Sequence, residues 1–593
     1  MNNKVFLETF TTIEDYDSTK TVKLPLESLI TYCVHRYCDS LSVLNLVHKN
    51  SEKEKFGVIL EMCDLNYSKD NDIPWQVSSC IYPVVMYEDT IITGLCGVVR
   101  HIVKYRTSPQ SPQEHEAGLL GFRKSCLQAP NEASIWTKFC EIDIIRTVIE
   151  VLIKNKLKEV PANLVRFENH LKKPVRVHNV YKMARDLMKG DGNITENVIK
   201  EKKNTDKTRV VKSRKWKSNK KKDLEIDCSV KIEDLNINHQ FAEGPFFTLA
   251  DLVLWPSYHI IIKAFGNNFQ SLLPLTYNWY NYIMNLCELN TFSNILKNVN
   301  TKEIIITDII KPTVDDVSLY KCDPKRHNPK KRLFTKEDDI VNALNSLSDG
   351  MEMEINNRVL NTNIDWNNIP DGANPLAGHL PDDRMVRKSQ QLENLALAVM
   401  NIAKEGDLIV DFCSGSGHLG ILLAHLLPKC TIILLENKEQ SLQRARNRVH
   451  ELDLKNVYFF QCNLDFFIGK FEIGIALHAC GIASDLVMDK CLKANAKFII
   501  CPCCYGSLHI TDRFIYPRSE RFKDITIDQY LCIGHAADQT HEDHPLTARG
   551  ARCMAAIDSD RGRLAEQFGY KVTLSRLKPL SCTPKNNLLI GVP

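Results

Sequence analysis

Apolar residues recur along this chain with two different periods, and the changes of period divide it. Up to about residue 105, short β-like and helical segments alternate: TVKLPL, then SLITYCVHRYC, then LSVLNLVH, with CIYPVVMYEDTIITGLCGVVRHIVKY reading as strand, strand, helix. From about 113 to 300 the spacing becomes three and four residues, as in SIWTKFCEIDIIRTVIEVLI, which predicts packed helices. Thr248 and Asp251 in EGPFFTLADLVLWP have the spacing of a capping box, with Phe247 placed to staple against Leu252, so Asp251 is expected to be structural. Residues 301–380, including KCDPKRHNPKKR, keep no period and read as linker. Beyond 380 the order is helix (RMVRKSQQLENLALAVMNIAKEGD), strand (GDLIVDFC), helix (HLGILLAHLLP) and strand (TIILLE). Two more strands, GIALHACGIASD and KFIICPCCYG, precede a C-terminal helix, strand, turn and strand. The class is multidomain α/β.

At 593 residues the chain is too long for one core and implies about three domains. Its net charge of +4 hides an uneven distribution, because Lys200 to Lys222 holds twelve Lys or Arg and two acids. That run, with Trp216 inside an insertion at about 185–235, is a candidate for RNA contact or a nuclear address, or else a solvated insertion without a partner. The 21 cysteines fall below disulfide-scaffold density, and MNNKVFLETFTTIED has early acids and no apolar signal core, so free thiols and a cytoplasmic location are expected. No apolar run is long enough for a membrane span. Oligomeric state is left open.

The chemistry concentrates in DFCSGSGHLG, Asp411 to Gly420. Between a strand and a helix, Gly415 and Gly417 allow positive φ and close approach to a ligand, and the helix from His418 aims free N–H groups at it. Glu436, 21 residues after Gly415, ends the second strand, where a carboxylate can accept from both hydroxyls of a ribose. An adenosine-type cofactor follows. With Asp411 four residues before the first glycine and Cys413 and Ser414 between, the loop resembles motif one of class I S-adenosylmethionine (SAM) methyltransferases, NAD being the alternative. That resemblance implies a doubly wound, Rossmann-like domain over 381–593 with strand order 3-2-1-4-5-7-6, whose final hairpin favours SAM. It also implies that Asp411, Cys413, Gly415, Gly417 and Glu436 hold the cofactor, that Cys462 and Asn463 close over adenine, and that Lys388 or Arg387 reaches the SAM carboxylate.

In that order the fourth and fifth strands are neighbours, so His478 and Cys480 would face Cys501, Cys503 and Cys504 across the acceptor side of the crevice. Three readings compete: a zinc site built from His478, Cys480 and two of the thiols of Cys501, Cys503 and Cys504, a general base or thiolate assisting the acceptor, and plain packing of small polarisable side chains. His478, Cys480 and Asp485 are the candidate catalytic residues.

The first 108 residues resemble a degenerate thioredoxin-like N-terminal domain of a glutathione transferase, with a cis peptide bond implied before Pro83. Thr93 and Gly94 stand where the acid or amide and serine for glutathione are needed, and LPLES offers only Ser28 as a nucleophile. Residues 113–300 resemble the all-α C-terminal domain of the same enzymes. Across nearly the full length FAEGPFFTLAD, VDFCSGSGHLGI, ALHACGIASD, CPCCYG and SCTPKNNLLIGVP occur in the order seen in the glutathione S-transferase C-terminal domain-containing protein family, and LHACGIASD is similar to a strand of a eukaryotic tRNA ribose methyltransferase family. The functions carried forward are a SAM-dependent methyltransferase with a docking module for RNA or protein, a non-catalytic scaffold, and a glutathione-binding transferase.

Overall fold

A single hydrogen-bonded sheet of 13 strands draws on both ends of the chain. The structure, a computed structural model, describes the chain apart from residues 1–2, 50–56, 62–65, 69–71, 132–133, 155, 177–179, 191–229, 287–288, 298, 300, 316–317, 321–335, 358–362, 376–381 and 540–545. The basic run 200–222 and the whole of KCDPKRHNPKKR lie outside the described residues. Two units result: Met1–Thr107 with Pro130–Ala133 and Cys322–Pro593, and Ser108–Ala129 with Ser134–Lys321.

The first unit begins with β1 (Asn3–Thr9), β2 (Thr21–Leu24), β3 (Val43–His48), β4 (Val58–Glu61), β5 (Asn66–Ser68), β6 (Val84–Tyr87) and β7 (Thr90–Thr93). β1 lies between parallel β3 and antiparallel β6, β7 follows β6 antiparallel, and β2 and β4 pair separately. The Tyr82–Pro83 bond is cis, as the resemblance implied. The sequence reading missed β1, because Val5, Phe6 and Leu7 are all buried and give no alternation. The strand thus ends at Thr9, and Ser28, offered above as a candidate nucleophile, is wholly buried in the helix Leu26–Tyr37.

In the second unit the helices Ile144–Lys154, Ala162–Lys172, Leu249–Phe265 and Pro274–Met284 pack together, beside a small parallel pair, β8 (Lys156–Glu159) and β9 (Ile305–Ile310). Asp251 is fully buried and accepts N–H bonds from Thr248 at 2.9 Å, Ala242 at 2.7 Å and the Trp279 indole at 3.0 Å. It fastens a helix start to two other segments, a structural role.

The first unit resumes with β10 (Ile355–Asn356), β11 (Leu408–Phe412), β12 (Thr431–Glu436), β13 (Val457–Gln461), β14 (Ile473–Cys480), β15 (Lys497–Cys503), β16 (Lys571–Arg576) and β17 (Asn587–Val592). Their order, β13-β12-β11-β14-β15-β17-β16, is the expected 3-2-1-4-5-7-6, with β17 antiparallel to both neighbours. Residues 301–380 are not simply linker: β9 lies there, β10 pairs with β16, and the helix Glu337–Asn345 packs on Ile527–Ala537.

The first 107 residues are not a body apart from the carboxy-terminal half, because β7 pairs in parallel with β13, Phe459 to Gln461 against Thr90 to Ile92. Val77, Cys80 and Ile91 share one apolar cluster with Phe460 and Phe467, and Ile81 N–H donates to Phe466 O at 2.8 Å. Arg446 pairs with Glu88 and Asp89, and Lys104 with Glu439. Without these residues β13 would be a bare apolar edge. A chain lacking 1–107 is therefore expected to aggregate where the full chain does not, as read by size-exclusion chromatography; a monomeric, cooperatively melting fragment would show the pairing to be dispensable.

Candidate functional site

The carboxyl ends of β11 and β12 build the glycine loop. Just past Phe412 the chain turns at exposed Cys413 with φ 55°, unusual for a residue with a Cβ, then at Gly415 (φ 59°) and Gly417 (φ 73°). A Cβ on Gly417 would stand 2.8 Å from Leu434 Cδ1 and 3.0 Å from Ala445 Cβ, whereas one on Gly415 would meet nothing within 4 Å. Gly417 therefore serves the packing of the loop against β12, and Gly415 borders open space.

Glu436 ends β12 beside that space. Its Oε2 accepts the Gly415 N–H and its Oε1 the Lys438 N–H, both at 2.8 Å, so the acid faces the loop as expected and each oxygen keeps a second lone pair. Asp411 is buried and its Oδ2 accepts the Gly420 N–H at 3.0 Å, closing the turn into the helix His418–Leu426. Burial pushes its carboxyl up to about 7, opposed by the Gly420 N–H and by Lys388. Lys388 is held below the usual lysine range by burial, with Asp411 and Cys501 acting the other way. Burial, then Arg448 and Lys388, keep His418 neutral by pulling it down to about 3. The sequence reading overlooked Arg448: it donates to Ser416 O at 2.9 Å and Gly372 O at 2.8 Å, gripping the loop from a helix whose charged pattern looks like ordinary solvated surface.

On the adenine side one assignment needs correction and the other gains a partner. The Cys462 side chain is buried in the apolar cluster and presents no thiol to a ligand. Asn463 Nδ2 donates to Asn131 Oδ1 at 2.5 Å, so its amide is engaged by a residue far away in sequence. Thr93, at the glutathione position, donates its hydroxyl to Ile81 O at 2.5 Å and is buried.

At the ends of β14 and β15, Cys480 and Cys503 are opposite one another in register, and their sulfurs are 3.3 Å apart. The Cys504 sulfur is 3.4 Å from that of Cys480, and the three lie within 4.8 Å of one another. The neighbouring thiols, donating to Cys480, lower its pKa. Cys501 does not join them: it is fully buried, its pKa raised by burial, with its sulfur 3.6 Å from Lys585 O. His478 lies on β14, but its side chain is outside the described residues.

Asp485 is likewise no catalytic acid or base. It is fully buried and takes Arg561 Nη2 at 2.8 Å, Arg561 Nε at 3.1 Å, Arg518 Nη1 at 3.2 Å and the Tyr516 hydroxyl at 2.9 Å. Despite burial, these cations hold its pKa below the usual carboxylate value, and no lone pair is left for an acceptor's proton. Arg561 also pairs with buried Asp558 at 2.9 Å. Arg561→Met, which strands two buried carboxylates, is expected to destabilise the protein by about 3–5 kcal/mol in denaturant titration; an unchanged midpoint would remove the network from the fold's supports.

A family model described as a methyltransferase domain matches residues 387–510. S-adenosylmethionine is the cofactor that goes with such a domain, and the space beside Gly415 and the lone pairs left on Glu436 suit its adenosyl part. Among solved structures, a SAM dependent methyltransferase from Aquifex aeolicus aligns at 13% identity over 38% of this chain and 98% of its own with a TM-score of 0.21, too slight a likeness to bear on function. A Drosophila melanogaster protein named glutathione S-transferase C-terminal domain-containing protein homolog is 42% identical over 85% of this chain and 83% of its own. The Homo sapiens glutathione S-transferase C-terminal domain-containing protein is 35% identical over 96% of each. At these identities and coverages the chain belongs to the glutathione S-transferase C-terminal domain-containing protein family.

Proposed function

We propose that the chain is a SAM-dependent methyltransferase acting on RNA, its glutathione-transferase-like parts serving to dock the substrate in a reducing, cytoplasmic setting. The observation that carries the enzymatic reading is the juxtaposition of Gly415, with no protein atom where its Cβ would be, and the Glu436 carboxylate bonded to its N–H at 2.8 Å. When bound, SAM supplies a methyl group on a sulfonium. The chain's own work is positioning: Gly415 and Gly417 admit the cofactor, Glu436 offers lone pairs to a ribose, Asp411 and Arg448 fix the loop, and Lys388 is the cation available to a carboxylate. RNA rather than protein is favoured by the basic run Lys200–Lys222 and by the short LHACGIASD likeness. Among the described residues no helix is long and apolar enough to cross a membrane, and no cysteine is bridged.

Isothermal titration is expected to show micromolar SAM binding, weakened about 10–100-fold by Glu436→Ala as two charge-assisted hydrogen bonds are lost. Gly415→Val is expected to abolish binding, since its side chain enters the open space, at a backbone cost of about 1–2 kcal/mol for a branched residue at φ 59°; Gly417→Val, which in addition collides with Leu434 and Ala445, should lower stability further. Tritium from labelled SAM should appear in the RNA fraction of a cell extract and vanish with Glu436→Ala. Label confined to protein would overturn the RNA assignment alone, and absence of both binding and label would leave a scaffold.

A further inference from the structure

The three thiols at the rim of β14 and β15 differ from the chain's other buried cysteines. Cys33, Cys491 and Cys501 are wholly enclosed and act as small apolar side chains. Cys480 is exposed and Cys504 half-buried, so packing does not account for them. Residues 503 and 504 are consecutive, and in a continuing strand their side chains would take opposite faces. They come together because Cys504 adopts the left-handed conformation (φ 54°, ψ 48°), which an L-residue other than glycine populates at a cost of roughly 1–2 kcal/mol. The local hydrogen bonds hold that arrangement: Gly481 N–H donates to Cys503 O at 3.0 Å and Ser507 N–H to Cys504 O at 2.9 Å. Strain retained where it gathers reactive atoms points to a ligand.

We propose that Cys480, Cys503 and Cys504 form a binding site for one thiophilic d10 cation, zinc in the first instance. Tetrahedral zinc with Zn–S bonds of about 2.3 Å sets its sulfurs about 3.8 Å apart. The sulfurs here, with separations of 3.3 and 3.4 Å and none beyond 4.8 Å, reach that spacing by side-chain rotation alone. Each thiol that enters as S–H releases its proton to solvent on coordination. The resulting negative charge falls near two ammonium groups, Lys438 and Lys585, each close enough to act on these sulfurs. Asp538, the nearby acid, is tied to Lys585 at 3.5 Å and to Gly506 N–H at 2.8 Å. A disulfide would use two of the three sulfurs and leave the strained turn at Cys504 without purpose. None of the three thiols belongs to the glycine loop, so metal uptake can be measured without cofactor.

The test uses the full chain, purified with a phosphine reductant and without chelator. Elemental analysis should find one zinc per chain, and exchange with Co2+ should produce thiolate-to-metal charge-transfer absorption with tetrahedral d–d bands. Cys480→Ser and Cys504→Ser should each weaken zinc binding at least tenfold in chelator competition, while Cys501→Ser retains stoichiometric metal. Because a variant can misfold, zinc should also slow alkylation of Cys480 and Cys504 in the unmodified chain, mapped by peptide mass spectrometry. The proposal is overturned by absence of metal uptake, by binding that survives the Cys480→Ser/Cys504→Ser pair, or by a Cys480–Cys503 disulfide whose reduction restores no uptake. SAM titration on the same samples reports the cofactor site independently.

Discussion

Everything in the first unit rests on β13 having a partner on its outer side. In a seven-stranded methyltransferase sheet this strand is an edge, with a row of free N–H and C=O groups and an apolar face to cover. Here β7 satisfies those groups in parallel register, and Val77, Cys80 and Ile91 cover Phe460 and Phe467. A parallel pair between segments more than 350 residues apart needs the whole intervening chain to return, so its loop-closure entropy is recovered only through burial on both faces. The charged contacts around it, Arg446 with Glu88 and Asp89 and Lys104 with Glu439, fix register more than they add stability, being partly exposed.

This pairing changes what the amino-terminal segment does. The carboxyl ends of β7 and β13 point the same way, so the turn at Thr93 and Gly94 comes beside the strand end that leads into Asn463. Asn131, which the chain's contacts also place in the first unit, reaches the Asn463 amide. Segments that resemble a transferase thus border the cofactor half. Thr93 meanwhile turns its hydroxyl inward to Ile81, and that hydroxyl is lost to any bound peptide.

Much of the methyltransferase-domain half was legible because local rules and tertiary demands agree there. The runs LIVDF and TIILLE are apolar throughout, as strands buried on both faces must be, and the glycines between strand and helix have a steric reason to be glycine. Glu436, placed by its spacing at the end of the second strand, does end β12 and accepts the Gly415 N–H of the loop. What stayed hidden involved partners distant in sequence. Nothing in NKVFLET shows that it is a central strand, nothing in the amphipathic Glu439–Glu451 helix marks Arg448 as the residue that holds Ser416, and IASD gives no hint that Asp485 waits for an arginine 76 residues further on. Asn463 was placed at the right strand end, yet the neighbour that occupies its amide comes from 332 residues earlier.

The two acids of the sheet's open side illustrate how burial separates roles that sequence cannot. Asp485 and Glu436 each follow a parallel strand, and each looks like a candidate for chemistry. Asp485 is enclosed with two guanidinium groups and a phenol, a charge neutralised on every side whose removal would leave Arg561 with Asp558 alone and Arg518 without this buried partner. Glu436 bonds only backbone N–H groups, at the margin of a space with no protein atoms, and so keeps acceptor capacity that folding does not use. Of the two, only Glu436 keeps acceptor capacity that the fold leaves unspent, while Asp485 is given over wholly to supporting the structure.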